Sequence, residues 1–161
     1  MLTMTAPGVS QLLYLLDEAF EGPKWHSLLG NLQSVTPDDW LWVPEGGRRS
    51  IRDIVQHVGG AKLLYDNHAF GDAKISWDDP VVEGGDAVST IPSAIEWLRE
   101  RHERLRQNVA LLDDEELLRP RMHFSGKLKE TRWLIAVTIE HDLYHAGEIN
   151  HIRCLHQQDD E

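Results

Sequence analysis

The stretch from Glu130 to His156, ETRWLIAVTIEHDLYHAGEINHIRCLH, decides the fold. Read as one long helix, its first part, Trp133 to Ile139, is apolar almost all the way round. That is the pattern of a helix covered by neighbours on several sides. His141 and His145 stand four residues apart in it, and Glu148 follows three residues later. On an α-helix these positions share one face, and each four-residue step rises about 6 Å. Two imidazoles so placed can bind one metal ion from the same side.

Working outward, the chain predicts three further principal helices. The first is expected from about Val9 to Val35, with Leu12, Leu13, Leu16 and Phe20, then Leu28, Leu29 and Leu32, as its apolar stripe. Gly22-Pro23 should break or kink it, because proline lacks a backbone donor and clashes with the preceding turn. A loop carrying Pro37, Trp40, Trp42, Pro44 and Gly46-Gly47 leads to a second helix, which opens at Ser50. Ser50 and Asp53 fit a capping box there. Ile54, Val58, Ala61 and Leu64 or Tyr65 continue the buried stripe, and His57 lies beside it. Gly59-Gly60 costs this helix about 1 kcal/mol per site relative to Ala. Close approach of another backbone, or of a ligand, would explain that. Gly71 to Ser89 reads as a long connection. The third helix starts near Thr90, with Pro92 tolerated in its first turn. Ala94, Leu98, His102, Leu105, Val109 and Leu112 keep helical spacing along it. Asp113 to Met122 has room for a short helical turn that Pro120 ends, and Phe124-Ser125-Gly126-Lys127 reads as a turn into the long helix. With no convincing strand pattern, repeat or second domain, residues 1–161 read as one all-α four-helix bundle.

The bulk numbers exclude several functions. A chain of 161 residues is long enough for one domain with a real core. Its net charge is −11, from 27 acidic and 16 basic side chains, which argues against a nucleic-acid surface. The nearest basic cluster, RHERLR from Arg101 to Arg106, reads as the solvated face of a helix. No apolar run reaches the roughly 18 residues of a membrane span. The N-terminal MLTMTAPGVSQLL lacks the basic start of a secretory signal. The expectation is a cytoplasmic protein with neither nucleic acid nor membrane as partner. The single Cys154 excludes an intrachain disulfide and any multi-cysteine metal site.

The histidine pair is weak evidence by itself. Nine histidines in 161 residues supply roughly half such an i, i+4 pair by chance. The setting adds weight: a buried imidazole needs partners for its nitrogens, and a metal provides them. A third ligand should come from another helix. His57, on the buried side of helix two, leads, and His102, on the apolar face of helix three, competes. Periodicity does not choose between them. His26, His68, His123 and His156 read as surface or loop-side histidines.

His141-Asp142-Leu143-Tyr144-His145 also differs from the zinc-peptidase H-E-x-x-H only in Asp for Glu, and His151 falls where that signature's longer form has a third histidine. Three departures count against it. Asp is one methylene short of the zinc-bound water. Gly147 comes one position early for the turn that folds the third histidine back, and no room follows for the downstream Met-turn. Glu148 to His151 simply continues the helix.

Two segments, Ile51–Val58 (IRDIVQHV) and Glu140–Ile149 (EHDLYHAGEI), with the Trp- and Pro-bearing loop before helix two, carry a resemblance. Together they resemble the DinB-like (DinB/YfiT) superfamily of bacterial metal-binding four-helix proteins, over nearly the whole chain. The resemblance implies a triad of His57, His141 and His145 around one divalent ion, commonly zinc or nickel, with iron or manganese as further options. It also implies an up-down-down-up arrangement with a long crossover, and frequent homodimers. Many members carry Gln where this chain has Glu148. An anionic side chain there could orient a ligand histidine, bind the metal or act as a base, which makes Glu148 the candidate catalytic residue. No DNA binding is implied.

Three neutral imidazoles leave coordination positions open to water or substrate, as in catalytic zinc sites. Such a site can acidify water, polarise a carbonyl or activate a thiolate. Asp53 is explained as a helix cap, and Tyr144, His102, Trp40, Trp42 and Trp77 could line a pocket but read more readily as core or loop packing. The leading expectation is a metal-dependent enzyme acting on a small molecule. Resemblance to thiol-dependent members implies S-transfer or isomerisation with a low-molecular-weight thiol such as bacillithiol, mycothiol or glutathione. The alternatives are a metal-binding or interaction protein without turnover, and a metal-free bundle whose histidines serve structure only.

Overall fold

The long C-terminal stretch folds as a helix over Thr131–Gln157, here α7, in a computed structural model that describes residues 7–158. Before it come α1 (Pro7–Glu21), α2 (Leu28–Leu32), α3 (Pro37–Trp40), α4 (Ile51–Phe70), α5 (Pro80–Glu83) and α6 (Ile91–Ala110). The described residues are therefore mostly helical, in keeping with the all-α expectation. The long helices α1 and α4 each pack on both α6 and α7. Phe20, Leu28, Leu32, Ile54, Val58, Leu98, Ile149 and Ile152 form one buried cluster, and Leu16, Leu105, Val109, Ile135 and Ile139 belong to a second. Each such side chain contributes about 1.5–3 kcal/mol when fully buried. Among the described residues no helix is long and apolar enough to cross a membrane.

The expected first helix is broken, not kinked. α1 stops at Glu21, and after Pro23 the chain restarts as α2. Ser27 caps that restart, its Oγ accepting from the Gly30 N–H at 3.1 Å. α4 opens with the expected capping box: Asp53 N–H donates to Ser50 Oγ at 3.2 Å and Ser50 N–H to Asp53 Oδ2 at 2.9 Å. The two glycines of α4 mark close approach, as expected. A Cβ at Gly59 would fall 2.0 Å from the Trp97 ring on α6, and one at Gly60 would fall 2.6 Å from Val82 on α5. Neither contact could be relieved without moving a neighbouring element.

One expectation is corrected. A short hairpin, β1 (Pro120–Met122) and β2 (Leu128–Glu130), precedes α7, pairing Pro120 with Glu130 and Met122 with Leu128. Its three-residue strands are too short for alternation to show in the sequence. Their turn contains the expected Phe124–Lys127 segment, with Gly126 at φ 81°. A single 3₁₀ turn, Glu116–Leu118, fills the place where a short helical turn is expected.

Asp39 ties α3 to the last turn of α7. Its carboxylate accepts from Thr36 N–H (2.6 Å), Thr36 Oγ1 (2.7 Å), His156 Nδ1 (2.6 Å) and Gln157 Nε2 (2.7 Å), joining α3 to the end of α7. Burial opposes ionisation, but His156, Thr36 and Gln157 together outweigh it and lower the carboxyl from 3.8 to about 2. A depressed carboxyl stabilises the fold above its unfolded pKa and loses that contribution as pH falls through the folded one. Asp39→Asn should therefore cost about 2 kcal/mol in urea unfolding at neutral pH. The gap to wild type should close as pH drops from 3.8 towards about 2. A pH-independent gap would contradict the assignment.

Candidate metal centre

α4 and α7 bring three imidazoles together. His57 Nε2 lies 3.1 Å from His141 Nε2, which lies 3.2 Å from His145 Nε2. All three atoms fall within 4.8 Å of one another, and they are the group of His, Cys, Asp or Glu side chains among the described residues placed to hold a metal ion. His57 and His141 are half-buried and His145 is buried. The i, i+4 spacing on α7 supplies two rings from one face, and α4, capped at Ser50, supplies the third.

The electrostatics keep these rings neutral. Burial, then the neighbouring His145 and Arg49, push His57 down to about 4, against a small opposing pull from Glu148. Burial, then His145, His57, Lys62 and Arg49, push His141 down to about 3. His145 is lowered by burial and partly restored by Glu148. Neutral imidazole is the form that offers a lone pair.

His145 Nδ1 lies 2.7 Å from Glu148 Oε2. A carboxylate can only accept, so Nδ1 carries the proton and Nε2 turns its lone pair to the cluster. His141 Nε2 then faces two ring nitrogens, and a single proton there serves only one of them. A divalent cation accepts all three lone pairs. Nitrogen ligands about 2.0–2.1 Å from tetrahedral zinc stand about 3.3 Å apart, close to the two short separations here. The residues fit such an ion.

Glu148 is in turn held by Arg49, whose Nη2 donates to Oε1 at 2.9 Å and Oε2 at 3.2 Å. Arg49 escapes sequence reading because it precedes the capped helix; the double basic Arg48-Arg49 is its only signal. Behind the cluster Lys62 Nζ donates to Asp142 Oδ2 at 2.6 Å, both side chains buried. The middle Asp of the H-D-x-x-H segment thus serves a lysine and not a metal-bound water, and α7 runs straight on past His151. Burial pushes the Asp142 carboxyl up, against the pull of Lys62. Lys62 stands in the otherwise uncharged run Val58–Tyr65, and that isolation was the available clue.

The ring of Trp77 stacks on His57 (centroids 5.4 Å, planes 3° apart), and Phe124 from the hairpin turn meets Trp77 edge-on at 5.9 Å. A cleft of about 210 Å³ opens beside them, lined by Asp53, Gln56, His57, Trp77, Val82 and Glu83. The competing histidine is elsewhere: His102 stacks on Phe20 at 3.9 Å and faces Asp17 at 3.2 Å. His26 is exposed, while His68, His123 and His156 are half-buried and bonded to Ile75, Ser125 and Asp39. Tyr144 is 69% exposed and lines no part of the cluster's cleft.

Fold and site define a mostly helical protein with a three-imidazole cluster set between two of its helices. The chain belongs to the DinB superfamily: the family model matches residues 24–149, which include all three histidines and Glu148. No curated protein matches the chain.

In the metal-free protein near neutral pH, imidazole nitrogen NMR should find His145 as the Nδ1–H tautomer. Glu148→Ala should release it to a tautomer mixture. An Nε2–H form in the wild type would remove the argument for an inward lone pair.

Proposed function

We propose that this chain is a metal-dependent enzyme in which His57, His141 and His145 hold one divalent ion, zinc or nickel, for transfer or isomerisation with a low-molecular-weight thiol. The observation that carries this reading is the meeting of three Nε2 atoms, one of them oriented by a carboxylate on its ring's far side. When bound, the ion supplies a Lewis acid that favours the thiolate over the thiol. In the transfer case the sulfur's electron pair forms an S–C bond at an electrophilic carbon of the second substrate. The bond to the leaving group breaks, the leaving group takes that pair, and the thiol proton passes to solvent. His57, Trp77 and Gln56 wall the cleft where these reactants meet. Glu148 acts through His145 as a positioning residue, a role favoured by its bonds to both His145 and Arg49.

The same reading takes the four long helices as an up-down-down-up bundle of one domain, with the connection between α4 and α6 as the crossover. Contacts that support it pair Asp17 with Arg106 and Glu21 with Arg99, Gly59 with Trp97 and Asp66 with Asn108, and Arg49 with Glu148 and Lys62 with Asp142.

It also takes the molecule as a homodimer through the outward face of α7. Trp133, Tyr144 and Leu155 recur every eleven residues, three helical turns, and with Leu143 are 40% to 69% exposed. Set antiparallel about an axis between His145 and Ala146, Tyr144 lies over Gly147 of the second copy, around which there is open space. Glu140 then opposes His151 of the second copy, a carboxylate acceptor against an imidazole N–H donor. Light scattering should give a dimer mass for the wild type and a monomer for Tyr144→Glu/Leu155→Glu with unchanged helicity. A monomeric wild type at micromolar concentration refutes this interface.

Purified protein should carry about one divalent ion per chain, and His57→Ala, His141→Ala and His145→Ala should each lose most of it while His102→Ala keeps it. Full metal content in all three triad variants refutes the site. With metal loaded, thiol consumption in the presence of an electrophile should exceed that of His141→Ala by at least about tenfold. Metal binding without any such turnover, across glutathione, bacillithiol and mycothiol, would leave a non-catalytic metal-binding protein.

A further inference from the structure

Lys62 and Asp142 meet at 2.6 Å with side chains 2% and 0% exposed. A pair so stripped of water is a poor source of net stability, since apolar residues of similar shape commonly do as well. Its physical effect is to penalise misalignment. Around it the contact between α4 and α7 is aliphatic: Ile54, Val55 and Val58 share one cluster with Ile149 and Ile152. Aliphatic side chains repack after a slip of one helical turn, about 5.4 Å, at modest cost. The same slip would leave an ammonium and a carboxylate each buried alone.

The position of the pair gives that penalty a target. Asp142 follows His141 directly and precedes His145 by three residues, while Lys62 follows His57 by five. Lys62 is the hydrogen-bond partner of Asp142 Oδ2, and Asp142 Oδ1 is buried with none. Further out, Arg49 and Glu148 repeat the cross-link in a half-exposed setting where salt and solvent weaken it.

We infer that Lys62 and Asp142 are positioning residues that lock the register of α4 against α7, so that His57 arrives opposite His141 and His145. The inference leans on the proposed metal site only for its affinity readout; the placement of the rings is readable without metal.

The test replaces both charges at once with Lys62→Met/Asp142→Leu, which leaves the net charge beside the triad unchanged. The double variant should unfold cooperatively with a Tm no lower than wild type. Its dissociation constant for zinc should nevertheless rise by about tenfold or more. In its metal-free crystal structure at least one of the two Nε2···Nε2 separations should exceed about 3.5 Å. An unchanged zinc affinity in a wild type that binds zinc, or a metal-free crystal structure with the rings in place, overturns the inference. Should the wild type bind neither zinc nor nickel, the metal reading falls and the metal-free structure alone decides this one. If the double variant does not fold, Lys62→Leu/Asp142→Ala, which also removes both charges and the bond between them, is judged on the same two readings.

Discussion

Burying ionisable side chains between α4 and α7 is the constraint on which the rest of the structure depends. An interior of Ile54, Val55, Val58, Ile149 and Ile152 would close readily around more aliphatic groups. Instead it holds three imidazoles, an ammonium and a carboxylate. Burial resolves the two kinds differently. The imidazoles shed charge, falling to about 4 at His57 and about 3 at His141, and so become lone-pair donors. Lys62 and Asp142 instead pair with each other. One physical cause thus yields both the donor set and the pair that holds its two halves together.

How much of this the sequence disclosed follows from how local each feature is. α7, the histidine pair upon it and the Ser50–Asp53 cap are written in spacings of three and four residues, and they fold as read. Gly59-Gly60 could be read as a close approach, but not by which partner; Trp97 lies 38 residues further on. The hairpin was illegible because three-residue strands carry no period. The choice of His57 over His102 was equally closed to periodicity, since both lie on apolar faces. What separates them is Asp17, which with Phe20 engages His102 from α1. Arg49 and Lys62 escaped because their partners lie 99 and 80 residues away.

The acidic residue at position 148 gains its meaning from that long-range contact. A glutamine there could still accept from His145, but it would leave Arg49 without an opposite charge. Glu148 serves both at once, its Oε2 meeting the imidazole at 2.7 Å and the guanidinium at 3.2 Å. A half-exposed Arg–Glu pair is worth little as stability. As a way of fixing the imidazole's proton on the outer nitrogen it is effective, because the carboxylate offers no proton of its own to compete.

Two charge pairs adjoining the cluster cancel internally: Lys62 against Asp142 behind it, Arg49 against Glu148 at its rim. Three neutral imidazoles add none. A divalent ion placed among them would bring two positive charges that neither pair offsets, and the carboxylates of Asp53 and Glu83 line the cleft beside them. A ligand entering beside His57 and Trp77 would therefore meet both the ion's charge and those two carboxylates. On the proposed thiol chemistry, the ionised sulfur would add a negative charge at such an ion where a neutral thiol would add none.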